Sequence, residues 1–335
     1  MTPRCATCSA PLAPAMRRCR RCGAQVPSGM GRREEVVFAQ AVIPYCPGDP
    51  FEGQYILEES KGEGPLGVTW RARTTEGVTV ALKILSEGML PGPAERQGFV
   101  AEYRALLGRT MNRVACPLDV GLDKRGAAYV VTPWIEGVSL RALLRSYKRA
   151  ARALQPQEVY GVFLGTVEAM RELHSVASHG ALYPESIRLS DQVTLVDPGV
   201  AAILPQPQFG KVVVTFEDVA AYIAPEVRAG RKANAGADLH ALGALVSELV
   251  TGDPSLAGTF TWPGAGDGVE AAVRGLVSPK LGPRAGSLPV LLDRFRAWLG
   301  EPVLPAPVAV FRASTRPPPR PRLDDEPTHP RARIL

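Results

Sequence analysis

Four of the six cysteines fall in the first 22 residues, as Cys5-x2-Cys8-x10-Cys19-x2-Cys22, with Gly23 directly after the second pair. Two C-x-x-C pairs offer four thiolates that can close a tetrahedral site around one Zn²⁺ at about 2.3 Å, and a glycine after the knuckle permits the tight turn that aims them. A disulfide framework needs an oxidising compartment, and a redox C-x-x-C needs only one pair in a βαβ setting. Residues 1–25 hold no apolar run that could form a core, so the metal would supply their folding energy as a structural site without an open position. Cys46 and Cys116 have no partner in sequence and read as buried or idle thiols.

A second group of residues suits phosphate chemistry. Lys61-Gly62-Glu63-Gly64-Pro65-Leu66-Gly67 is a G-x-G-x-x-G run between two strand-like segments, and Lys83 follows sixteen residues past Gly67 within Val80-Ala81-Leu82-Lys83. Glycines at 62, 64 and 67 let a β-turn lie close over phosphates without Cβ collisions, although Pro65 removes one amide donor at the tip. Alone, the glycine run is a weak match.

These residues need elements to hold them. Residues 51–136 read as β-rich, with strand patterns at Tyr55–Leu57, Gly67–Arg73, Val78–Leu85 and Ala128–Thr132. The period then turns helical, at Gln157–Leu173, Ala237–Thr251 and Pro289–Leu299, so 137–300 form a larger helical part. Residues 26–50 read as a linker ending in Cys46-Pro-Gly-Asp-Pro50. Residues 301–335 carry nine prolines and read as a disordered Pro/Arg-rich tail. The chain has 335 residues with 45% hydrophobic and 21% charged, which excludes a wholly disordered protein. Its formal charge of +6 sits at the ends, with five arginines and no acid in residues 1–25. No apolar run is long enough to span a bilayer and no secretory leader precedes Cys5, so a cytoplasmic protein is expected.

The order of several motifs carries a resemblance. The glycine run, the Lys83 strand, Glu102 in Phe99-Val-Ala-Glu-Tyr-Arg, the hinge-like Tyr129–Gly137, Val196-Asp197-Pro198-Gly199, Ala224-Pro225-Glu226 and Asp238–Gly243 together resemble a bacterial Ser/Thr protein kinase domain over about residues 53–300. The cysteine segment resembles the short zinc ribbons at the ends of many bacterial proteins. The resemblance implies an α+β, two-lobed fold with a β-rich N-lobe (51–136) and a helical C-lobe (137–300), preceded by a zinc ribbon (1–25). It implies a nucleotide site of Gly62, Gly64, Gly67 and Ala81, with Lys83 on the α/β-phosphates, Glu102 orienting Lys83, and Asp197 on the metal. The adenine would meet the carbonyl of Pro133 and the N–H of Ile135. Glu226 and Arg284 match a buried ion pair of the family.

The catalytic loop departs from the pattern. His179-Gly180-Ala181-Leu182-Tyr183-Pro184-Glu185-Ser186 aligns with H-R-D-L-K-P-E-N. Ala181 stands where an aspartate accepts the substrate hydroxyl proton, Tyr183 where a lysine steadies the transferring phosphate, and Ser186 where an asparagine holds the second Mg²⁺. Val219 replaces a threonine of the same group. Arg188 falls where an apolar residue floors the adenine pocket, and Gly180 replaces the arginine that clamps an activation-loop phosphate, leaving Thr215 as the sole Thr or Ser between Asp197 and Ala224. His179 reads as structural.

The sequence therefore predicts a pseudokinase, a scaffold or allosteric regulator in signalling that binds ATP and Mg²⁺ weakly at most. Its kinase-like body, zinc ribbon and tail would contact protein partners. The competing reading is a weakly active or unconventional Ser/Thr kinase that transfers the ATP γ-phosphate to protein, with Glu185 or Asp191 as the nearby carboxylates. Nucleic acid is a poorer fit, since no aromatic residue lies in 1–25 to stack on bases.

Overall fold

The computed structural model describes residues 45–205, 209–210 and 216–305. The chain divides into units 1–45 and 46–335. Cys5, Cys8, Cys19 and Cys22, residues 26–44 of the linker, Thr215, and the tail beyond 305 lie outside the described residues.

The small lobe is an antiparallel sheet ordered β1-β2-β3-β4-β6-β5, from β1 (Pro50–Phe51), β2 (Tyr55–Gly64), β3 (Gly67–Thr74), β4 (Thr79–Leu85), β5 (Asp119–Leu122) and β6 (Ala128–Pro133). On β4 the two-residue period sends Val80, Leu82 and Ile84 to the core and leaves Ala81 and Lys83 on the opposite face. Register pairs Lys83 with Thr69 and Ala81 with Thr132, so these four side chains share that face. The β2–β3 turn depends on Gly67, at φ 139, where a Cβ would run into the Ile84 carbonyl; only glycine allows so close an approach. Helix α1 (Pro93–Tyr103) lays Phe99, Val100 and Tyr103 on the core.

The large lobe is helical around a three-stranded sheet, β7 (Val138–Ser139), β8 (Ile187–Leu189) and β9 (Val193–Leu195). Its longer helices are α2 (Leu140–Arg149), α3 (Pro156–Leu173), α4 (Ala235–Thr251), α5 (Asp267–Leu276) and α6 (Leu281–Leu299). Apolar on most sides, α4 runs through the centre, begun by the Asn234 side chain accepting from Ala237 N at 3.2 Å and ended by left-handed Gly252. Between α4 and α5 the described chain forms a short 3-10 helix, Pro254–Thr259.

Two boundaries differ from those read in the sequence. Proline at 289 suggests a helix start, yet α6 begins at Leu281 and passes through Pro289. Its first turns are anchored by Arg284, which is fully buried and donates to Ser278 O (2.6 Å), Gly236 O (2.9 Å) and both Glu226 oxygens. Residues 301–305, grouped with the tail on composition, lie back on α3, where Val303 N donates to Gln157 O at 3.2 Å. Gly161 makes room for them, since a Cβ there would strike the Val303 carbonyl.

Candidate functional site

A cavity of about 650 Å³ opens between the sheet and the helical lobe, within the range that holds a nucleotide. Gly62, Gly64, Gly67, Ala81, Lys83, Pro133, Ile135 and Asp197 all line it, together with Tyr183 of the catalytic-loop trio. Thr69, Thr132 and Trp134 line it as well. Thr132 and Trp134 belong to the hinge-like Tyr129–Gly137, whereas Thr69 is new, its signal being its place two residues beyond Gly67, on the Lys83 face.

At the inner end, Lys83 pairs directly with the Asp197 carboxylate, joining the two lobes. Asp197 has a φ of 58°, a left-handed backbone rare outside glycine, and Gly199 follows at 75°. The pairing of Lys83 with Glu102 does not occur. Glu102 points out from α1 and meets Lys232 at 2.7 Å, both side chains being more than half exposed. The rotation of α1 decides this, because Phe99, Val100 and Tyr103 claim the buried face and Tyr103 Oη donates to Pro198 O at 2.9 Å.

The catalytic loop is built as a rigid support. Asp238, almost wholly buried on α4, accepts the backbone N–H groups of His179 (2.8 Å) and Gly180 (2.9 Å) and holds His174 Nε2 at 2.9 Å. His179 Nε2 meets Val196 O at 2.9 Å, and burial holds its imidazole below the usual range. The ring is thus a neutral structural tie, as expected.

Ala181 is buried and presents only a methyl group. Ser186 Oγ donates to Tyr183 O at 2.8 Å and accepts from Tyr183 N at 3.1 Å, so its oxygen serves the loop backbone. Glu185 Oε1 takes Arg141 Nε at 3.0 Å, while Arg141 also pairs with Glu248, to which Tyr222 donates. Asp191 lies on the exposed β8–β9 turn, where it accepts from Ser190 Oγ at 2.8 Å and takes no part in the cavity. Asp191 is thus remote from the cavity, whereas Glu185 lines it with Oε1 on Arg141 and Oε2 buried without a hydrogen-bond partner among the described residues. Val219 is buried and lines the cavity as a purely apolar wall.

At the outer end, Arg188 occupies the cavity floor. Its Nη2 donates to Gly137 O at 2.6 Å and Ile135 O at 3.2 Å, and its guanidinium stands 6.0 Å from the Trp134 ring centroid. Lys61 and Arg71 flank the same ring at 5.6 and 5.8 Å. Burial lowers the pKa of Arg188, opposed in part by Glu136. The hinge carbonyls that Arg188 uses leave Pro133 O and Ile135 N, the two groups expected to read adenine, untouched by it.

A β-rich lobe and a helical lobe that join a glycine turn, a buried lysine and a metal-type aspartate define a protein kinase fold. Residues 55–261 match the protein kinase domain, and the chain belongs to that family. It is 28% identical over 217 residues to serine/threonine-protein kinase A of Synechocystis, covering 61% of this chain and 41% of that protein. It is 29% identical over 224 residues to the DNA damage-responsive serine/threonine-protein kinase RqkA of Deinococcus radiodurans, covering 64% and 32%. The chain thus spans about two fifths or less of the length of these relatives. The Mycobacterium tuberculosis PknI kinase domain, in a doubly substituted form, superimposes with a TM-score of 0.62 at 19% identity, covering 76% of this chain and all of that one.

Membership in the family implies ATP and Mg²⁺. Lys83, the glycine turn and Asp197 fit a nucleotide's phosphates and one metal, whereas Ser186, with its hydroxyl committed to the loop, does not fit a second metal. Among the described residues, no group of three or more His, Cys, Asp or Glu side chains could hold a metal ion, and no helix is long and apolar enough to cross a membrane.

Proposed function

We propose that the chain is a pseudokinase: a kinase-fold protein that binds nucleotide weakly and acts through protein contacts as a scaffold or allosteric regulator. The observation that supports this most directly is Ala181, buried where proton transfer needs a carboxylate, with Asp191 remote and Glu185 tied through one oxygen to Arg141. A phosphate-transfer assay tests it: no transfer from ATP to the chain itself or to added protein is expected above buffer.

A second reading is transfer through unconventional residues. The relatives support it, since both carry serine/threonine-protein kinase names, and so does the retained Lys83–Asp197 pair. Phosphoryl transfer rests largely on positioning and electrostatics, which a kinase fold supplies even where one proton acceptor is absent.

Arg188 should set nucleotide affinity. Its guanidinium fills floor space and spends its donors on the hinge, so Arg188→Leu should raise ATP affinity several-fold. A thermal-shift titration reads this, because a ligand that binds only the folded state raises the melting temperature as it passes its dissociation constant. A weaker-binding Arg188→Leu protein would contradict the assignment.

Residues 1–25 complete the proposal as a zinc ribbon that, with the Pro/Arg tail, recruits protein partners. One zinc per chain is expected by elemental analysis. Cys19→Ser with Cys22→Ser should abolish it, and metal content that survives the change would remove this part of the reading.

A further inference from the structure

Helix α2 and the turn after it present a cationic face away from the nucleotide groups. Between Glu136 and Glu158 the chain holds Arg141, Arg145, Lys148, Arg149 and Arg152 and no acid. Arg141 is drawn inward by Glu185 and Glu248, and Leu140, Leu143 and Tyr147 fill the buried side of the helix. The helical period therefore turns Arg145, Lys148 and Arg149 outward together, and all three are exposed. At Ala151 the backbone takes a φ of 49°, in the left-handed region, and brings Arg152 back beside the last turn, where its N–H donates to Tyr147 O at 2.9 Å. The Arg152 guanidinium lies 4.6 Å from the Tyr147 ring centroid and 3.1 Å from Glu158, so it is held in place while 45% of its side chain stays exposed.

Lys148 and Arg149 take no carboxylate among the described residues. Solvated helix faces are stabilised by mixed signs at i,i+3 and i,i+4, whereas Arg145 stands at those spacings from Lys148 and Arg149 and like charges repel there. The helix dipole favours cations in the last turn. It gives no reason for Arg145 a turn earlier, nor for a left-handed alanine that adds a fourth cation.

The chain's own ends do not supply the missing negative charge. Residues 1–25 hold five arginines and no acid, residues 26–44 two arginines and two glutamates, and residues 306–335 six arginines against Asp324, Asp325 and Glu326. A bilayer is a poor fit, because the apolar side of α2 is packed in the lobe and nothing is left to insert. Single-stranded nucleic acid is also disfavoured, since the one aromatic residue of α2, Tyr147, is buried and offers no base a surface to stack on. The four cations span about 10 Å, which three or four residues of an extended chain cover at ~3.3 Å each. Three of the four are arginines, whose planar fork matches carboxylates.

We propose that this face docks a short acidic segment of a partner protein, a run of Asp or Glu laid along Arg145, Lys148, Arg149 and Arg152. The inference rests on the protein-contact part of the proposed function and gives that contact a place and a partner chemistry.

The test is fluorescence anisotropy of the full chain with a labelled peptide carrying four consecutive glutamates, and with its glutamine counterpart. Three proteins are compared: the unmodified chain, Lys148→Glu with Arg149→Glu, and Arg320→Glu with Arg322→Glu in the tail. Reversing two exposed charges turns attraction into repulsion and corresponds to about a tenfold change in affinity. The expected result is binding of the glutamate peptide alone, about tenfold weaker in the α2 variant and little changed in the tail variant. An unchanged α2 variant, or equal losses in both variants, overturns the assignment. So does tighter binding of a single-stranded oligonucleotide or of phosphatidylserine vesicles that the α2 variant loses, or self-association that it abolishes, since each gives the face another occupant. Should the α2 variant fail to fold, Lys148→Gln with Arg149→Gln reads the same face with a smaller loss. No binding of the glutamate peptide by the unmodified chain overturns the docking proposal, while the absence of phosphate transfer is decided separately by its own assay.

Discussion

Radiolabelled ATP should give no autophosphorylation and no transfer to added protein above buffer. The proton acceptor is replaced by a buried methyl at Ala181, the phosphate-side lysine by Tyr183, and the second metal ligand by Ser186, whose hydroxyl is folded back onto its own loop. Loss of a general base typically costs 10²–10⁴-fold in rate. Loss of the neighbouring positioning groups acts on the same step, so single reversions should do little. Only Ala181→Asp, Tyr183→Lys and Ser186→Asn combined should recover measurable transfer. Stoichiometric transfer by the unmodified chain that disappears in Asp197→Ala would sink the pseudokinase proposal and establish the unconventional enzyme.

Removing the Arg284 side chain should be the most damaging single change to stability. The guanidinium is wholly buried, lies against both Glu226 oxygens at 2.6 and 2.9 Å, and also holds Ser278 O and Gly236 O. Burial alone would raise the Glu226 pKa, yet the hydrogen bonds from Arg284 outweigh it and leave the carboxyl below its usual range. Arg284→Ala strands that charge, at a cost of about 3–5 kcal/mol. Denaturant unfolding should show this loss, and Glu226→Gln in the same background should recover part of it. A change under about 1 kcal/mol would mean the pair carries little of the stability.

Much of this was legible because some spacings admit few structures. The glycine run and Lys83 are separated by one β-turn and one antiparallel register, so their meeting follows from local pattern. Glu226 and Arg284 lie 58 residues apart and were matched through the family resemblance, not through periodicity. What escaped depends on tertiary rotation. Glu102 has the right position in sequence, but α1 turns it toward Lys232 because three neighbouring apolar residues choose the core face. The start of α6 escaped for a similar reason: Pro289 argues for an N-terminus, and the long-range bonds of Arg284 to Glu226 and Gly236 override it.

The return of residues 301–305 over α3 bears on how the protein can be cut for expression. A fragment that stops at residue 261, where the family match ends, discards Arg284 and leaves Glu226 buried without its cation. One that stops at residue 300 keeps the ion pair but strips Val303 from Gln157 and opens the notch over Gly161 to water. A fragment that keeps both the ion pair and this contact therefore extends past Leu304, a requirement set by a glycine on a helix more than a hundred residues upstream.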